Sequence, residues 1–171
     1  MIPESLQLLE KAEKALRTAD HMIYITYPLI KDNRILKNVL DQFHNVAESI
    51  AYSILNYEFR YRRIGPITLT KLDTYGQNWS TFIKCSPRFS ISPEETAKIK
   101  EMLEIILKHQ ASTVEFARKD RLVFISNNAH AESISFDQMK SYLNNLKIVL
   151  RKAKDKICAP DGAPLSTPID R

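Results

Sequence analysis

The chain has 171 residues, 44% apolar and 26% charged, enough for one globular domain that buries a core without disulfide or metal staples. Its two cysteines, Cys85 and Cys158, make neither a disulfide framework nor a zinc pattern and fit a reducing, cytoplasmic setting. A formal net charge of +5 permits an acidic partner without requiring one. The apolar run from Met22 to Ile30 falls short of the ~20 residues of a membrane span, so no membrane partner is expected.

The first 64 residues hold no glycine and only two prolines, Pro3 and Pro28. They read as two long amphipathic helices folded into a hairpin. Helix one is expected from Pro3 to Tyr27, with Leu9, Ala12, Leu16, Ala19 and Ile23 forming one apolar stripe. Pro3 suits a first turn. Pro28 should end or kink the helix, because its ring clashes with the carbonyl four residues earlier. Helix two is expected from Arg34 to Arg63, capped by Asp32 or Asn33. Its stripe is Leu36, Leu40, Phe43, Ala47, Ile50, Ile54, Tyr57 and Tyr61. The short connection makes the two helices antiparallel neighbours.

Gly65 and Pro66 stop that helix. Between residues 64 and 91, the stretch 66–70 reads as extended. Asn78 to Cys85 reads as a short helix carrying Trp79, Phe82 and Ile83. Ser92, Pro93 and Glu95 spell a capping box for a third long helix reaching Gln110, with Ile99, Met102, Leu103 and Ile106 inward. Arg121 to Ser126 is rich in β-branched and aromatic residues, and Ala131 to Phe136 is its partner in a small β-hairpin. Ser135 and Gln138 make a second capping box, opening a last helix to Ile157 with Met139, Tyr142, Leu146, Val149 and Ala153 inward. The expected fold is mainly α: an antiparallel bundle of four main helices, a short extra helix and a small hairpin before the last helix. The bundle spans residues 1–158, and a Pro-rich tail spans 159–171.

Two basic clusters are the candidate site. In the first, Tyr57, Phe59 and Tyr61 alternate with Arg60, Arg62 and Arg63. Rings stack on bases while guanidinium groups pair phosphates. The competing reading puts Tyr57 and Tyr61 in the core and the arginines at the helix's negative end. The second cluster is Arg118, Lys119 and Arg121, which can meet a phosphate backbone or simply shield an edge strand. Of the four histidines, His21 and His44 lie near Asp20, Asp41 and Glu48 in an antiparallel hairpin. The paired Glu-x-x-His motifs of a di-iron bundle are missing, as is any zinc or nucleophile signature, so no metal, cofactor or catalytic residue is assigned. Glycine-rich phosphate loops are absent as well.

The run from Ser112 to Ser126, together with an opening hairpin that ends in the Tyr–Arg string of 57–63, resembles a group of small uncharacterised archaeal helical proteins. The resemblance covers most of the chain and carries no activity to transfer. The architecture also resembles HEPN domains, helical bundles that often act as RNases or partner a nucleotidyltransferase. Their catalytic Arg is followed by four to six residues and then a His. Here Arg17 and His21 have three residues between them, and Arg121 and His130 have eight. The resemblance therefore implies no nuclease and leaves a bundle that binds RNA or a partner.

Three functions follow as expectations. The first is a non-enzymatic module for RNA or another polyanion, through Arg60, Arg62, Arg63, Arg118, Lys119 and Arg121. The second is a protein-interaction or homodimerisation module built on the helical hairpin. The third, trailing the others, is a hydrolase with a site near His21, His44 and Glu48.

Overall fold

The computed structural model describes residues 2–126 and 128–159; the expected tail, except for Ala159, lies outside them. The fold is mainly helical. Helix α1 (Glu4–His21) leads through one π turn into the short α2 (Tyr27–Ile30), then α3 (Asn33–Arg60), α4 (Gln77–Cys85) and α5 (Pro93–Gln110). A three-stranded antiparallel sheet follows, with β1 (Val114–Arg118), β2 (Arg121–Ile125) and β3 (Ala131–Ser135) in that order, before the closing α6 (Phe136–Ile157). None of the described helices is long and apolar enough to cross a membrane.

α3 is the axis of the domain. Every residue from Ser49 to Leu55 is buried, because α1, α4, α5 and α6 all pack on it. A segment buried all round belongs inside a core, so the single stripe expected for this helix describes only part of its buried surface. Its start is as expected: the Asp32 carboxylate accepts the Arg34 N–H at 2.9 Å. Its end is earlier, at Arg60, and Tyr61 leaves the stripe for solvent.

The first helix departs from expectation at Pro28. Tyr27 N–H bonds the Met22 carbonyl, five residues back, closing a π turn over Met22–Thr26. The wider turn moves the proline ring away from the carbonyl it would strike, so Pro28 sits in the first turn of α2 and the chain stays helical to Ile30. The reversal falls instead at Lys31, whose backbone is left-handed.

Both serine capping boxes form, at Ser92–Glu95 and Ser135–Gln138, and they start α5 and α6 where the sequence places them. In α4, Trp79 and Phe82 are buried, but Ile83 faces outward. The expected hairpin is one strand short. β1 pairs with β2 along its whole length, with Val114 opposite Ile125 and Arg118 opposite Arg121. Residues 66–70 join no strand; the segment is tied to α3 instead. Tyr52 Oη donates to the Thr70 carbonyl, and Glu48 Oε1 accepts the Leu72 N–H at 2.8 Å.

Candidate functional site

The first basic cluster is largely consumed by the end of α3. Arg62 N–H bonds the Phe59 carbonyl and Arg63 N–H bonds the Glu58 carbonyl. This is a Schellman closure with Arg62 in the left-handed position at φ 57°. Glu58 is 1% exposed. Arg63 meets its carboxylate through Nε and Nη2, both at 2.9 Å, and Arg88 Nε reaches Oε2 at 3.1 Å. The Glu58 hydrogen bonds are the main reason the Arg63 guanidinium holds its proton more tightly than usual. That guanidinium also lies over the rings of Tyr57 and Tyr61, 5.7 and 5.0 Å from their centroids. The alternation of rings and arginines thus serves the helix end. Arg60 and Arg62 remain exposed there and make no ion pair among the described residues.

The second cluster is built differently. Lys119 and Asp120 both have positive φ, 49° and 59°, forming a tight two-residue turn between β1 and β2. Asp120 Oδ1 accepts from Lys31 Nζ at 3.2 Å and from Tyr27 Oη at 3.1 Å, and its backbone carbonyl accepts the Phe136 N–H. Lys31 first, then the Tyr27 hydroxyl, hold the Asp120 carboxyl below the usual carboxylate range. The one acidic group of the turn is therefore occupied, and the turn is pinned to the end of the bundle.

Alternation along the strands sorts the sheet into two faces. Leu122, Phe124 and Ile134 point into the core and are buried. Val114, Phe116 and Arg118 of β1 share the other face with Arg121, Val123 and Ile125 of β2. There Phe116 is 46% exposed, and it stands two residues from Arg118, which lies directly opposite Arg121. Like charges in directly opposed positions destabilise a strand pair. Among the described residues, Arg121 has only a neutral side-chain partner, Ser133 Oγ at 3.2 Å.

The two clusters do not come together. The Lys119–Asp120 turn contacts Lys31 just before α3 begins, whereas Arg60 ends α3. Twenty-eight helical residues at 1.5 Å each put them about 40 Å apart.

The histidines separate too. His44 and Glu48 line an open cleft of about 630 Å³ whose floor is α3 and whose walls are α1 on one side and residues 69–71 on the other. Burial pushes the His44 imidazole below its usual range, against the opposing pull of Glu48. His21 is outside this cleft, exposed and within 3.1 Å of Thr26 Oγ1. Among the described residues, no group of three His, Cys, Asp or Glu side chains is placed to hold a metal. Burial raises the Cys85 thiol, which makes it a poor nucleophile at neutral pH.

Sequence reasoning passed over Phe116, although Val114, Phe116 and Arg118 alternate. It also passed over the cleft residues Lys11 and Lys71, which no pattern marks. No protein-family model, curated protein or solved structure matches the chain.

Proposed function

We propose that the protein is a non-enzymatic module for single-stranded RNA or a similar polyanion, bound on the open face of the sheet. The observation that carries this reading is the shared face of Phe116, Arg118 and Arg121: one exposed ring beside two guanidinium groups that repel each other. A ring supplies a stacking surface for any base, and the arginines take phosphates. Lys119 extends the charge at the turn. An anion bridging Arg118 and Arg121 removes the repulsion between them, so the site is stabilised by what it binds. Arg60 and Arg62 lie too far away to join the same short contact.

The test is a titration of the full chain with a labelled oligouridylate at low and moderate salt. Binding is expected to weaken steeply as salt rises. It is expected to vanish in Arg118→Glu/Arg121→Glu and to persist in Arg60→Glu/Arg62→Glu. Absence of binding at low salt, or its loss in the second double variant alone, overturns the reading.

A second reading, a protein-interaction or homodimerisation module, is favoured by a different feature. Among the described residues β1 is an edge strand with one unpaired side, and its Val114 is 52% exposed. Sedimentation across a concentration series distinguishes the two. A dimer that survives high salt and is lost in Val114→Lys supports self-association through this edge.

A further inference from the structure

The cleft on α3 holds charges of both signs that do not neutralise each other. Asp41 and Glu48 stand on its α3 floor, and Lys11 and Lys71 on its two walls. Opposite charges facing one concavity attract and ordinarily close into a pair. Glu48 and Lys71 do not: their charged atoms stay more than 4.0 Å apart, and neither joins any of the ion pairs found among the described residues. Each is fixed by a neutral partner instead. Glu48 Oε1 accepts the Leu72 N–H at 2.8 Å, and Lys71 Nζ donates to Gln110 Oε1 at 2.8 Å. The Glu48 carboxylate thus sits against the backbone of the residue after Lys71, and His44 feels the charge of both groups. Burial disfavours the charged imidazole, so His44 adds little net charge at neutral pH.

A smaller pocket of about 240 Å³ adjoins the cleft, with His44, Lys71 and Gln110 bordering both spaces. Its lining is mostly apolar, with Leu72, Leu103 and Leu107, and includes Asp73 and Thr74. A pre-formed apolar recess beside a few fixed polar groups is the usual form of a small-molecule site.

The geometry points to a binding site for a free α-amino acid with an apolar side chain, its ammonium on Glu48, its carboxylate on Lys71 and its side chain in the leucine-lined recess. An α-amino-acid head group carries both charges one carbon apart, so it fits between two fixed opposite charges that do not themselves pair. A simple amine or a simple acid satisfies one and leaves the other bare. This site is separate from the sheet face and does not depend on polyanion binding.

The test is calorimetric titration and thermal melting of the full chain with each standard L-amino acid, L-leucine first. At least one apolar amino acid is expected to saturate the protein and raise its Tm. Leucinamide, which lacks the carboxylate, and N-acetylleucine, which lacks the ammonium, are each expected to bind about tenfold more weakly, the loss of one charge-assisted contact. Lys71→Met and Glu48→Gln should each weaken leucine binding by about the same tenfold, and the double variant should show no detectable binding. Lys71 is an exposed loop residue, and glutamine at position 48 can still accept the Leu72 N–H, so both variants keep the fold. The proposal is overturned if no amino acid binds, if the two blocked analogues bind as tightly as leucine, or if binding survives both substitutions.

Discussion

Arg63 closes on Glu58 through two nitrogens at 2.9 Å, and that carboxylate is 1% exposed. Removing one partner of a buried pair leaves a charge in a medium that solvates it poorly. Arg63→Met is therefore expected to destabilise the fold by about 3 kcal/mol, the lower end for a broken buried pair, because Arg88 still reaches Glu58. The double change Arg63→Met/Glu58→Met should cost less than the single one, since the one charge it leaves unpaired, Arg88, is half exposed to water. Urea denaturation of the three proteins checks the order. Oligouridylate binding by Arg63→Met should equal that of the unaltered protein, as the residue is far from the sheet face.

Arg62 makes the opposite prediction. It occupies the left-handed position of the helix closure at φ 57°, where a side chain costs about 1–2 kcal/mol and glycine costs none. Arg62→Gly is expected to stabilise the protein by about 1 kcal/mol once the extra freedom of an unfolded glycine is counted. A raised midpoint with unchanged denaturant slope checks it. A destabilised variant means the Arg62 side chain makes a contribution that its exposed position does not reveal.

On the sheet face, charge and stacking should separate. Arg118→Gln removes one phosphate partner and is expected to flatten the salt dependence of oligouridylate binding by about one unit of log–log slope. Phe116→Ala removes a ring and no charge. Its affinity should fall about tenfold, the lower range for one stacked base, with the slope unchanged. Anisotropy titrations at several salt concentrations read both numbers. A slope change in Phe116→Ala, or none in Arg118→Gln, contradicts the division of roles.

Much of the scaffold was legible because local chemistry and global packing agree. Ser92 with Glu95 and Ser135 with Gln138 mark the helix starts where they occur, and Leu9, Ala12, Leu16, Ala19 and Ile23 are all buried as their spacing requires. β1 is not legible in the sequence because its pattern is inverted. Its apolar residues Val114 and Phe116 face solvent, while Glu115 turns inward to His109, at 2.6 Å, and to Lys37. A rule that sends apolar residues inside assigns this strand the wrong face. The cleft was half legible. His44 and Glu48 stand one turn apart on a helix the sequence defines well. Lys71 lies in a segment without periodicity, whose position comes from bonds to Tyr52 and Glu48 made across more than twenty residues or nearly so. Hairpin register alone groups His21 with His44, and the π turn at Met22–Thr26 gives it a separate partner in Thr26.

His44 gives the fold a pH dependence of fixed sign. Burial lowers its folded pKa below the ordinary imidazole value of 6.5, outweighing Glu48 and Asp41, which raise it, while Lys71 adds to the lowering. Between the two pKa values the unfolded chain binds more protons, so stability falls as pH drops. The contribution is fully present above about pH 6.5 and is lost progressively below it. The carboxyls held low by ion pairs, Glu115 and Asp120 among them, lose their stabilising charge only near and below the ordinary carboxylate range. A comparison at pH 7.5 and 5.5 therefore isolates the histidines. Urea midpoints should be lower at the acid pH, and the difference should shrink in His44→Gln. An unchanged difference in that variant assigns the effect to another histidine, and a higher midpoint at pH 5.5 contradicts the burial argument for His44.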